Sequence, residues 1–207
     1  MWHHDLQGLI FAILVVWIAK TTAMKNELSI GKTLLSIPFV MDPYFRRSVI
    51  ALCEHNELGS LGLILNKRLD LTINDLIGDF PEFNSTVHYG GPVQTDSIQY
   101  LHRVGDLLEG SKKIGPGVYW GGDFENLKML IKNKLIEPED IRFYVGYSGW
   151  SPGQLAEEMD TGSWVVGDLS ANYLFKFEPE VVWSKAMGHK GNNYEVIAQI
   201  PNEMLLN

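Results

Sequence analysis

The run Gly146-Tyr147-Ser148-Gly149-Trp150-Ser151-Pro152-Gly153-Gln154-Leu155-Ala156-Glu157-Glu158 constrains this chain more than any other, because it reads as a strand end, a tight turn and a capped helix start. With Ser151 as N-cap, Pro152 falls at the first helical position, where a missing N–H and a fixed φ suit the first turn. Gln154 then completes a capping box with Ser151, and Trp150 and Leu155 take the two positions of a hydrophobic staple. Gly149 permits a backbone conformation that a side chain would hinder. Each of these residues has a structural job. The helix start also offers free N–H groups and partial positive charge, a docking place for an anion or carboxylate.

Elsewhere the pattern is strand-rich. Thr33-Leu34-Leu35-Ser36-Ile37 and Ser48-Val49-Ile50-Ala51-Leu52-Cys53 flank the turn Met41-Asp42-Pro43-Tyr44 and read as the first two strands, with Leu61-Gly62-Leu63-Ile64-Leu65-Asn66 as a third. Thr72-Ile73-Asn74-Asp75 is a variant capping box that opens a short helix, which Gly78 can end. Strands follow at Val87-His88-Tyr89, Ile98-Gln99-Tyr100-Leu101-His102 and Val118-Tyr119-Trp120. Asp123 can cap a helix with Leu127, Leu130, Ile131 and Leu135 on one face. Residues 141–147 and 163–166 read as strands, 152–159 and 181–187 as helices, and Val196-Ile197-Ala198 as an apolar tail after a polar loop. Helices inserted singly among strands, without a βαβ repeat, predict an α+β fold around a mixed sheet.

At 207 residues and 45% hydrophobic, the chain can bury one core, and no compositional break divides it. Residues 8–19 form an apolar run that stops at Lys20, short of the roughly 20 residues a spanning helix needs. Trp2-His3-His4-Asp5 lacks the basic n-region of a secretory signal, although Thr21-Thr22-Ala23 could be cleaved. Residues 1–23 are therefore expected to lie outside the mature fold, and residues 24–207 to form a single domain without a membrane anchor. The formal charge of −8 opposes nucleic-acid binding, and the basic pairs Arg46-Arg47, Lys67-Arg68 and Lys112-Lys113 are separated in sequence and read as solvated surface. The single cysteine, Cys53, excludes an intrachain disulfide, fits a reducing, cytoplasmic setting and reads as a small core residue.

Gly146-Tyr147-Ser148-Gly149-Trp150 resembles a nucleophile elbow, but Trp150 stands where G-x-S-x-G needs its second glycine. His55, His88 and His102 have no metal-ligand spacing, and there is no C-x-x-C or H-E-x-x-H. Adjacent Glu157 and Glu158 point about 100° apart on a helix and read as a solvated face, not an acid–base pair. Gly90-Gly91-Pro92 and Gly115-Pro116-Gly117 lack the pattern of a phosphate loop. No catalytic set, metal site or cofactor is predicted.

Asp42-Pro43-Tyr44-Phe45 with Ser48-Val49, Gly62 through Asn66-Lys67, Gly90-Gly91-Pro92-Val93, Leu101-His102, the run 146–158, Trp164 and Trp183 come in the order of a known pattern. In these motifs the chain resembles the bacterial AlgH/YqgE family (UPF0301, DUF179), from about residue 31 to 188. The resemblance implies an α+β fold with a mixed, partly barrel-like sheet flanked by helices, in a cytoplasmic protein. Members are described as transcriptional regulators, yet no helix-turn-helix or basic stripe carries that role here. The expected function is a noncatalytic binding or regulatory module, recognising an unknown protein or small-molecule ligand. Its expected surface gathers Asn66, Gly90, Gly91, Pro92, His102, Gly149, Trp150, Ser151 and Gln154 along one face of the sheet. A hydrolase using Ser148 or a His–carboxylate pair is the alternative, and DNA-directed regulation a second.

Overall fold

A computed structural model describes residues 28–200 other than Met41 and Asn192; the apolar extension at 1–23 lies outside these. Among the described residues ten strands form the core: β1 (Lys32–Ser36), β2 (Val49–Asn56), β3 (Gly59–Ile64), β4 (Arg68–Thr72), β5 (Thr86–Tyr89), β6 (Val93–His102), β7 (Lys112–Gly115), β8 (Val118–Trp120), β9 (Ile141–Trp150) and β10 (Trp164–Asp168). The helices are α1 (Ile73–Leu76), α2 (Phe124–Lys132), α3 (Gln154–Asp160), α4 (Asn172–Phe175), α5 (Pro179–Gly188) and α6 (Asn193–Ala198), with a 3₁₀ turn at Pro138–Asp140. The sheet order is β10-β1-β2-β3-β9-β6-β8-β7, antiparallel along this path. β5 lies parallel to β9 and carries β4 on its other side. The result is the expected mixed α+β architecture, a curled half-barrel in one domain.

Alternation along the strands decides which core each side chain enters. Leu35, Val49, Ala51, Cys53, Leu63 and Val165 face a core closed by Trp183 and Met187 of α5 and by Leu174 of α4. Their neighbours Leu34, Ile50, Leu52, Ile64 and Val166 face the other way, onto Leu155 and Met159 of α3. With apolar residues on both faces, these strands read as continuous hydrophobic runs. A further core packs Phe80, Phe83, Phe143 and Ile73 against Leu127 and Ile131 of α2.

Several local readings need correction. β9 continues through Ser148, Gly149 and Trp150, which pair with Gly62, Leu61 and Ser60, so this segment is strand and not turn. The turn comes later, and the residue before α3 is Gly153, at φ +81°. Ser151 is thus not the N-cap and Pro152 not the first helical residue. Half of the capping box survives, since Gln154 Oε1 accepts from Ser151 N at 3.0 Å. The staple residues Trp150 and Leu155 are buried in one core. The tail at 196–198 is the end of helix α6. Leu135 lies past the end of α2 and is 55% exposed.

Candidate functional site

The Gly-Gly-Pro motif takes its meaning from β9. Tyr89 pairs with Val145 on one edge of that strand, whereas Val93 pairs with Tyr147 on its other edge. The chain must therefore cross the strand between those two residues. Two inter-strand spacings are about 10 Å, and four extended residues reach about 13 Å, so the crossing is nearly straight. Nothing larger than glycine fits beneath it. A Cβ on Gly91 (φ +152°) would lie 2.3 Å from Tyr147 C and Ser148 N, and one on Gly90 2.3 Å from Gly146 O. Gly90 N donates to Val145 O at 2.9 Å, Ile64 N to Gly90 O at 3.0 Å, and Ser148 Oγ to the same Gly90 O at 3.1 Å. Ser148 is fully buried. Its hydroxyl fastens the crossing and faces no solvent from which a substrate could arrive.

Beyond the crossing, where β9 meets the β2–β3 hairpin, an open groove of about 520 Å³ is walled by Glu54, Asn56, Leu58, Ser60, Tyr147, Gly149 and Ser151. Leu58 at the hairpin tip is 85% exposed. Ser60 Oγ and His55 Nδ1 lie 2.8 Å apart across the hairpin. Glu54 pairs with Lys112 Nζ at 2.9 Å. Trp150 forms part of the groove while burying most of its ring, and it donates its indole N–H to Glu158 Oε2 at 2.9 Å. Trp164 donates to that same oxygen at 2.7 Å, and Gln154 Nε2 donates to Oε1 at 3.1 Å. The expected solvated face on α3 therefore holds only for Glu157. The carboxylate of Glu158 instead locks the helix to two strands.

The sequence-predicted surface divides. Gly149, Trp150 and Ser151 line the groove, and Gly90, Gly91 and Pro92 form the crossing beside it. Gln154 is exposed and bonds to Ser151 and Glu158. Asn66 clamps neighbouring backbone, its Oδ1 accepting from Val49 N at 2.9 Å and its Nδ2 donating to Arg47 O at 2.8 Å. His102 does not join them. It pairs with Ile141 at the start of β9, whereas Trp150 ends that strand, on the order of 30 Å away along it. Its ring is fully buried, stacks on Tyr119 and sets Nε2 2.9 Å from Gly121 O. Burial lowers its basicity, against the hydrogen bond to Gly121. One small ligand cannot span His102 and Trp150.

Two basic pairs separated in sequence also meet, because Lys67 Nζ donates to Arg46 O at 2.9 Å and the Asn66 amide reaches Arg47. Arg47 lies over the Trp183 ring, 4.7 Å from its centroid, so it is not plain solvated surface. The hairpin residues Glu54, Asn56, Leu58 and Ser60 belong to the groove but were not singled out in sequence. Their signal was present as a polar segment with Gly59 between two apolar strands. Cys53 is buried in the core, where desolvation pushes its thiol up and keeps it inert.

Residues 33–195 match the AlgH-like family, DUF179. The chain belongs to that family. This AlgH-like chain is 42% identical over 181 residues to a UPF0301 protein of Chlorobaculum tepidum, covering 86% of this chain and 97% of the relative. It is 40% identical over 178 residues to one of Cytophaga hutchinsonii, covering 86% and 98%. The solution structure of the AlgH protein of Pseudomonas aeruginosa superimposes with a TM-score of 0.66 at 28% identity, over 83% of this chain and 93% of that one. A crystal structure of a Corynebacterium diphtheriae protein shares the fold, with a TM-score of 0.67 at 20% identity, over 86% and 97%. Among the described residues of the AlgH-like chain no helix is long and apolar enough to cross a membrane, and no three His, Cys, Asp or Glu residues are grouped to hold a metal ion.

Proposed function

We propose that this AlgH-like protein is a noncatalytic, cytoplasmic binding module that recognises a protein segment or small ligand in the groove between the β2–β3 hairpin and the end of β9. The observation that carries this reading is the contrast across β9. Ser148 is spent inside the sheet on Gly90 O, while the neighbouring groove is open and walled by mixed polar and apolar side chains from a hairpin and a strand end. Such a wall favours recognition over bond-breaking chemistry. Gly149, Trp150 and Ser151 touch the ligand in this account. Gly90, Gly91, Pro92, Asn66 and Gln154 hold the backbone that frames it.

The experiment is native mass spectrometry of protein purified from its own host. A species bound to the wild type should be lost in Leu58→Glu and Ser151→Arg, both exposed positions, and kept in Met129→Glu on α2. Binding indifferent to both groove changes contradicts the assignment. One observation favours a hydrolase as second reading: the 2.8 Å contact of Ser60 with His55 beside the groove. No carboxylate is hydrogen-bonded to His55 among the described residues, which leaves that pair without the third, orienting group of a triad. Hydrolysis of model esters abolished by Ser60→Ala would make the hydrolase reading the better one.

A further inference from the structure

A second concavity, about 210 Å³, opens near the other end of β9, lined by Arg142 of that strand, Arg68 of β4, His88 of β5 and Phe175 of α4. His88 is 3% exposed, and its Nε2 lies 3.2 Å from Arg142 Nη1. A guanidinium only donates, so Nε2 accepts and the ring is neutral, with its proton on the buried Nδ1, which faces the backbone of Thr86 and Phe143 without a well-aligned hydrogen bond. Desolvation, then Arg142 and Arg68, push the basicity of His88 down to about 3, in keeping with that tautomer. The imidazole spends one of five N–H groups of Arg142 and fixes its position, leaving the others available.

Neither guanidinium has a carboxylate partner among the described residues. The contrast with Arg103 is direct, since that side chain, lying over Phe175, is neutralised by Asp140 Oδ1 at 2.8 Å. In a protein of net charge −8, two unneutralised arginines converging on one concavity call for an anion. Asn84, Ser85 and Thr86 in the same wall carry neutral donors, and Glu139 is the one acidic lining residue.

We propose that this concavity is a binding site for a small, doubly charged oxyanion of the phosphate class, gripped by Arg142 and Arg68 with His88 as the positioning residue for Arg142. Two guanidinium forks match an anion with several acceptor oxygens and more than one charge better than they match a single carboxylate, which one fork would satisfy. The volume admits inorganic phosphate or the phosphoryl end of a small metabolite. The site is separate from the hairpin groove, so either can fail without the other.

The test is calorimetric titration of the full chain with inorganic phosphate, against sodium chloride at matched ionic strength. Saturable one-site binding is expected, weakened at least roughly tenfold by Arg68→Gln or Arg142→Gln and unchanged by Lys113→Gln on β7. Arg68 is exposed and its side chain makes no hydrogen bond among the described residues, so its variant should keep the backbone pairing with His88 and fold, which circular dichroism checks independently. Absence of saturable binding by the wild type, or equal binding by a folded Arg68→Gln protein, would overturn the proposal. A titration of phenyl phosphate separates the sources: binding as tight as phosphate assigns the site to a phosphorylated metabolite, and its exclusion assigns it to the free ion, both within the proposed chemistry.

Discussion

Trp150 and Glu158, eight residues apart, are joined by an indole N–H to Oε2 hydrogen bond of 2.9 Å that ties the end of β9 to α3. Trp164 shares the same oxygen, and the two indoles meet edge to face at 6.2 Å. Glu158→Leu strands two indole N–H groups, each costing about 1–3 kcal/mol if left unsatisfied. A large fall in the denaturant midpoint is expected, with partial recovery in Glu158→Gln. A Leu variant as stable as wild type would show that the clamp does not hold the helix.

Gly91→Ala should be among the most destabilising single methyl additions in this protein. The added carbon lands on the Tyr147–Ser148 peptide, at a positive φ besides, so the crossing must move. A loss of several kcal/mol, of the order seen for steric strain or overpacking, is expected in urea unfolding. Gly188→Ala, at the end of α5 where an added Cβ meets nothing within 4 Å, is the control and should be neutral or stabilising by up to about 1 kcal/mol. Equal effects at the two positions would mean that Gly91 does not lie under the crossing.

Ser148→Ala removes one buried hydrogen bond to Gly90 O and should cost about 1 kcal/mol, without altering ligand binding. Thermal unfolding and a binding assay on the same sample check both parts. Lost binding at unchanged stability would bring Ser148 back as a functional residue.

The buried histidines predict acid sensitivity. His88 titrates near 6.5 in the unfolded chain and near 3 when folded, so the unfolded state binds more protons between those values. Its stabilising contribution is full above about pH 6.5 and is lost as the pH falls toward 3, at up to about 1.4 kcal/mol per pH unit. Burial shifts His102 in the same direction. Unfolding free energies measured from pH 7 to 5 should fall less steeply in His88→Asn than in wild type. Identical slopes would contradict a neutral, desolvated His88.

Local signals were legible where local chemistry determines structure. Asp75 accepts from Thr72 N and Oγ1, each at 2.7 Å, and Asp123 accepts from Asn126 N, as the capping patterns predict. The failures have physical causes. α2 stops before Leu135 because Lys134 takes φ +56° and Leu135 N closes on Leu130 O, a Schellman-type end without the glycine that usually announces it. β7 is short and mostly exposed and lacks apolar alternation, whereas β4 does alternate, with Leu69 and Leu71 between Arg68, Asp70 and Thr72, but is only five residues long and leaves Leu71 exposed. Ser148 and Gly149 have weak strand propensity and are extended because β3 pairs with them, a long-range fact. The Gly-Gly-Pro crossing was unreadable for the same reason: its glycines answer to a strand more than fifty residues away, as the Ser148–Gly90 separation of 58 records. The grouping of His102 with Trp150 failed because sequence does not reveal which end of a strand a side chain meets.

The central claim is that recognition occurs in the hairpin groove, and site-specific photo-crosslinking in the native host tests it most directly. A photoreactive residue replacing Leu58, 85% exposed at the groove rim, should yield a discrete adduct that Ser151→Arg abolishes. The same probe replacing Met129, 58% exposed on α2, should yield none. A discrete adduct from position 129 with none from position 58, or one from 58 that survives the Ser151 change, would contradict the account.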